Sequence, residues 1–83
     1  MYYVYLLRSQ KDGNLYVGFT LDLRKRIEKH RKGEVNSTKF RRPFRLMFYE
    51  AFCNKYDALA REKYLKSGYG KEQLKSILKN SFG

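Results

Sequence analysis

Cysteine occurs once in these 83 residues, proline once, histidine once and tryptophan not at all. Cys53 alone excludes an internal disulfide framework and any zinc site built on cysteine pairs. Its expected place is that of a small buried hydrophobe. The apolar stretches run to only a few residues, so no segment is long enough to span a membrane. Residues 1–8, MYYVYLLR, have neither the basic start nor the small-residue cleavage site of a secretory leader. A reduced, cytoplasmic protein is the expectation. Acids are scarce too: eight Asp/Glu stand against nineteen Lys/Arg, a net charge of +11. What is plentiful is aromatic and hydrophobic material, 17% and 42%, which excludes disorder and suits one domain over residues 1–83.

The positive charge is uneven. Residues 20–45 hold ten Lys/Arg against three acids, and residues 61–83 hold six against two. Such a field attracts a polyanion, and nucleic acid is the expected one. Candidate contacts are Lys25, Lys29, Lys39, Arg41 and Arg42 in the first block and Lys71 and Lys75 in the second.

Residues 2–8, YYVYLLR, read as a strand, the SQKDGN cluster at 9–14 as a turn, and LYVGFT at 15–20 as a second strand. Tyr3, Tyr5 and Leu7 share one face of the first strand, and Leu15, Val17 and Phe19 one face of the second. The opposite set, Tyr16, Gly18 and Thr20, is too polar for simple packing. Thr20 is the expected N-cap of a helix, with Asp22 in its first turn and Gly33 as its C-cap. A basic loop at 34–43 leads to a third strand at 44–52. Asn54 caps a second helix running to about Lys66, with Asp57 in the capping-box position. An SGYG turn at 67–70 introduces a last helix with Leu74, Ile77 and Leu78 as its apolar stripe. The fold class is α+β: a small three-stranded antiparallel sheet flanked by three helices, in the order β-β-α-β-α-α.

Two oddities carry chemistry. Ala58, Leu59, Glu62 and Leu65 fall at helical spacing and set Glu62 on an apolar side, where a carboxylate needs a cation. That cation is Lys66 one turn on or a metal ion. Glu28, Glu34, Glu50 and Glu72 sit in more polar surroundings and read as solvated. Arg26 and His30, at i and i+4, project together from the helix after the second strand, and beside Tyr5 and Tyr16 they make a candidate phosphate site.

Tyr3-Val4-Tyr5, then Tyr16-Val17-Gly18, then Thr20, Asp22-Leu23, Arg26 and His30 resemble the GIY-YIG nuclease superfamily. The stretch GFTLDLRKRIEKH at 18–30 fits the family's G-x-T-x-[DN]-L-x-x-R-x-x-x-H helix at every fixed position. The stretches KFRRPFRLMFYEAF at 39–52 and ALAREKYLKSGYG at 58–70 look like small stand-alone members related to the N-terminal nuclease domain of the excinuclease C subunit. Tyr3 stands where many members have glycine, and Phe19 where some have lysine.

The resemblance implies a divalent-metal phosphodiesterase site in which Tyr5, Tyr16, Arg26, His30 and Glu62 are catalytic and Glu62 holds Mg²⁺ or Mn²⁺. Gly18 is expected to let a phosphate or metal approach the sheet. The function so implied is a structure-selective DNA endonuclease or nicking enzyme, acting on branched, flapped or nicked DNA in repair or recombination, with a monomer as the default state. The alternative is a non-catalytic nucleic-acid-binding module on the same fold.

Overall fold

In a computed structural model that describes residues 1–82, β1 (Tyr2–Ser9), β2 (Leu15–Thr20) and β3 (Phe44–Phe52) form an antiparallel sheet in the order β2-β1-β3. The turn between β1 and β2 is closed by Gly13 N donating to Ser9 O and Ser9 N donating to Asn14 O, both at 2.8 Å. Gly13 takes the positive φ of 76° that such a turn requires. The central strand carries the largest apolar side chains, and Val4, Tyr5, Leu6 and Leu7 are all buried.

Register divides the sheet into two faces. Val4 stands opposite Phe19 and Leu6 opposite Val17, and this face packs against helices α2 (Lys55–Leu65) and α3 (Gly68–Ile77) through Ala58, Leu65 and Leu74. Tyr5 stands opposite Gly18 and Tyr49, and Leu7 opposite Tyr16 and Leu46. Helix α1 (Leu23–Lys32) and residues 34–43 cover part of this second face. Met47 is the extra residue of a bulge that shifts the β1–β3 register between Leu6 and Leu7.

The helices depart from the sequence expectation in four places. Asp22, not Thr20, caps α1: its carboxylate accepts from Lys25 N at 3.0 Å, while Thr20 Oγ1 accepts from Asp22 N at 3.2 Å. Gly33 closes α1 in the left-handed conformation as expected. The SGYG segment is no separate turn, because Ser67 is the N-cap of α3 and its Oγ accepts from Gly70 N. A fourth helix of four residues, α4 (Lys79–Phe82), ends the described chain, and a 3₁₀ turn at Lys39–Arg41 interrupts the basic loop. Asn54 caps α2 as expected, accepting from Tyr56 N at 2.8 Å. Ile77 is 49% exposed and leaves the apolar stripe to Leu74 and Leu78. Cys53 is exposed, against its expected burial, because it sits in the bend between β3 and α2.

Candidate active site

The site grows from the pairing of Tyr5 with Gly18. A Cβ on Gly18 would collide with the phenol end of Tyr5, so the ring lies flat over the glycine. This corrects the expected role of Gly18: the space above it is filled by Tyr5 itself, not kept for a ligand. With its ring so placed, the Tyr5 hydroxyl meets His30 Nε2 at 2.8 Å and Arg26 Nε at 3.5 Å. Arg26 and His30 share one side of α1 because they are one turn apart, and that side meets the sheet at the Tyr5 hydroxyl.

One direction satisfies every partner in this chain of bonds. In it the Thr38 hydroxyl turns toward Val35 O, 3.4 Å away, and its oxygen accepts from His30 Nδ1–H at 2.8 Å. His30 Nε2 is then unprotonated and accepts from the Tyr5 hydroxyl, whose oxygen accepts from Arg26. Tyr5, His30 and Thr38 are all about 1% exposed. Burial, with the Arg26 charge beside it, brings His30 down to about 4, so the ring is neutral at pH 7. Burial likewise pushes the Tyr5 phenol up to about 12, against the pull of Arg26. Tyr5 is thus a fixed donor, not a base.

Thr38 and Phe44 are the site residues that sequence reasoning missed. Phe44 stands edge-on to the His30 ring at 6.2 Å between centroids. A buried imidazole has two nitrogens to satisfy, and the cluster of Arg26, Tyr5 and Tyr16 around His30 offers an acceptor and donor for only one; that was the available signal for Thr38.

Tyr16 keeps partial exposure. Its ring stands 5.2 Å from that of His30 and 6.3 Å from that of Tyr5. It also borders a small cavity of about 180 Å³ with Lys66 and Lys71. Glu62, on α2, lies close enough to Tyr5 to help raise that phenol. Its side chain is 20% exposed and its Oε2 takes Lys66 Nζ at 3.1 Å, so both the apolar placement and the Lys66 partner are present. Among the described residues no three His, Cys, Asp or Glu gather as a metal cluster. One carboxylate nonetheless suits a magnesium-like ion, which keeps several waters and draws further ligands from a substrate phosphate. Glu50 is not simply solvated as expected, since it receives Arg61 Nε at 2.8 Å. Glu28 and Glu72 carry ion pairs to Arg31 and Lys75.

The candidate cations fall into two groups. Lys25 and Lys29 line a cavity of about 160 Å³ together with Arg26, which puts them beside the site. Lys39, Arg41 and Arg42 lie on the loop that carries Thr38, held down where Ser9 Oγ donates to Arg41 O at 2.7 Å and Gln10 N to Pro43 O at 2.8 Å. Lys71 approaches from α3 on the Tyr16 side. Lys75 is not brought to this site; it lines a cavity with Arg8 at the far end of the sheet.

The profile of the GIY-YIG catalytic domain matches residues 1–75. The chain belongs to the GIY-YIG family. Its relatives there include a UPF0213 protein of Pediococcus pentosaceus, 39% identical over 95% of this chain and 83% of that one. A UPF0213 protein of Staphylococcus saprophyticus is 42% identical over 92% of this chain and 93% of its own. The solution NMR structure of a UPF0213 protein from Bacillus halodurans is similar at a TM-score of 0.59 and 42% identity, over 93% of this chain and 85% of that chain. The α+β fold and the small GIY-YIG type expected from the triplets and the α1 motif are therefore both present.

Proposed function

We propose that this GIY-YIG protein is a metal-dependent DNA endonuclease or nicking enzyme selective for branched, flapped or nicked DNA, with a place in repair or recombination. The observation that carries the reading is the buried Tyr5–His30–Thr38 chain, with the partly exposed Arg26 at its end, standing beside the more open Tyr16. That chain holds a guanidinium and a water-accessible phenol side by side, the two groups a phosphodiester reaction needs.

The roles follow from the geometry. Arg26 gives its Nε to Tyr5 and lies beside Tyr16 as well, which places a guanidinium fork between the two phenols as the group that would receive a phosphate. Charge building on the phosphorus oxygens in the transition state would be met there. Tyr16, the phenol that water can reach, is the group assigned to take the proton from an attacking water, acting as the phenolate and returning to the neutral phenol. His30 and Tyr5 hold Arg26 in place and keep the floor of the site dry. Glu62 is the residue that would hold Mg²⁺ or Mn²⁺, whose charge would supply polarisation of the phosphate and stabilisation of the departing oxygen. Lys66 and Lys71 are cations on the Tyr16 side, in a chain with Phe19 where some relatives carry lysine.

The test is incubation with branched, nicked and flapped DNA in Mg²⁺, Mn²⁺ or EDTA. Single-turnover cleavage should fall by ~10²–10⁴-fold in Tyr16→Phe, the usual scale of proton-transfer participation, with melting temperature and affinity hardly moved. Equal cleavage by the wild type and Tyr16→Phe sinks the assigned role. The second reading, a non-catalytic nucleic-acid-binding module, draws on the Glu62–Lys66 ion pair at 3.1 Å. Under the nuclease reading, Glu62→Gln abolishes metal-dependent cleavage and leaves affinity in EDTA unchanged. Under the module reading no form cleaves any of these substrates.

A further inference from the structure

At the turn end of the sheet, Leu15, Arg8 and Arg45 stand in one row across the three strands, on the face opposite Tyr5 and Tyr16. Arg8 and Arg45 are directly opposed across the β1–β3 ladder, an arrangement of like charges that destabilises a sheet. Neither takes part in any ion pair among the described residues; the four that are present use Arg31, Arg61, Lys66 and Lys75. Arg8 is instead spread over the Phe82 ring, its Cζ 5.2 Å from the centroid. On one side of Arg8 lies a cavity of about 470 Å³ floored by Leu15 and Phe82 and rimmed by Lys75 and Lys79. On its other side a second cavity of about 350 Å³ is bordered by Arg45 and Gln10. Among the described residues no Asp or Glu lines either one.

We propose that this end of the sheet is a second nucleic-acid site, which takes a separate DNA segment while the first is held at Tyr16. Unpaired arginines face to face are the groups that a phosphodiester backbone neutralises best, because the planar fork matches phosphate oxygens. The apolar floor accepts the sugar or base edge that comes with each phosphate. Arg8 lies three residues along β1 from Tyr5 and its side chain leaves the sheet on the other side, so one straight duplex cannot occupy both sites. Two arms of one branched molecule can. Lys79 and Phe82 lie outside the stretch matched to the catalytic domain, so the site extends past that domain's common part. The proposal rests on the DNA-directed reading above and gives it a reason for preferring branched substrates.

The test is bridging, in EDTA, with the whole chain. A labelled linear duplex is offered to an immobilised duplex in the presence of the protein. The wild type should retain the label, and the double variant Arg8→Gln/Arg45→Gln should lose it while binding a single duplex within twofold of wild type. Arg45→Glu is the companion variant, since it sets a carboxylate opposite Arg8 and so preserves the fold while cancelling the site. The log–log salt slope for a branched molecule should become shallower by about two in the double variant, one for each arginine that no longer meets a phosphate. Failure of the wild type to bridge overturns the site. So does bridging that survives in both variants, or an equal loss of affinity for linear and branched DNA. A protein that bridges but cleaves nothing supports this site and overturns the nuclease; one that cleaves without bridging overturns this site alone.

Discussion

At the scale of the residue, Gly18 and Thr38 matter because of what they leave to their neighbours. A methyl group at Gly18 must displace the Tyr5 ring, so Gly18→Ala should cost ~1–3 kcal/mol as an overpacked site and lengthen the Tyr5–His30 bond. Denaturant unfolding gives the first quantity and ring-nitrogen NMR shifts the second. Thr38→Val removes the acceptor for His30 Nδ1–H and should cost ~1–3 kcal/mol as a buried donor left unpaired. The same NMR measurement on the wild type should find Nδ1 protonated, and a protonated Nε2 would mean that the hydrogen-bond chain from Arg26 to Thr38 runs the other way. His30 also sets a pH dependence. It titrates near 6.5 in the unfolded chain and near 4 in the folded one, so between those values the unfolded chain binds the extra proton. Stability contributed by the neutral ring is complete above about 6.5 and is lost as the pH falls toward 4, on the order of 3 kcal/mol in all. A series of unfolding midpoints from pH 8 to 4 should show this fall, and His30→Gln should flatten it.

At the scale of the element, the strands were legible because aromatic and β-branched residues alternate between turn clusters, and β2 and β3 have the expected bounds. The site residues on α1 were legible for a related reason, since a four-residue spacing places Arg26 and His30 together whatever the tertiary detail. Thr38 was not, because a loop has no period and its partner was fixed only when the chain folded back over α1. The four-residue α4 was hidden for the same lack of period. Gly68 and Gly70 read as a turn because glycine is a poor helix former, yet the Ser67 cap and the packing of Leu74 outweigh that preference. Thr20 and Asp22 were both acceptable caps, and only the backbone decided between them. Asp22→Ala should therefore cost about 1 kcal/mol and Thr20→Val distinctly less, as read from thermal unfolding. A larger loss from Thr20→Val than from Asp22→Ala would place the cap at Thr20 instead.

At the scale of the whole molecule, a net charge of +11 on a body of 31 × 28 × 19 Å predicts steep salt dependence. About 4–6 neutralised phosphates give a log–log slope on the order of −4 to −5, largely independent of sequence. A slope near zero would favour a partner other than nucleic acid. The basic loop bears on this in another way. Residues 38–43 are tied to β1 by the Ser9–Arg41 and Gln10–Pro43 bonds, to α1 by Thr38 and His30, and to the β1–β2 turn where Lys11 Nζ donates to Phe40 O at 3.2 Å. Its cations are thus mounted on a frame that is already ordered before DNA arrives. Binding then carries no folding step, and calorimetry should find a small heat-capacity change, well short of the signature of a segment that orders as it binds.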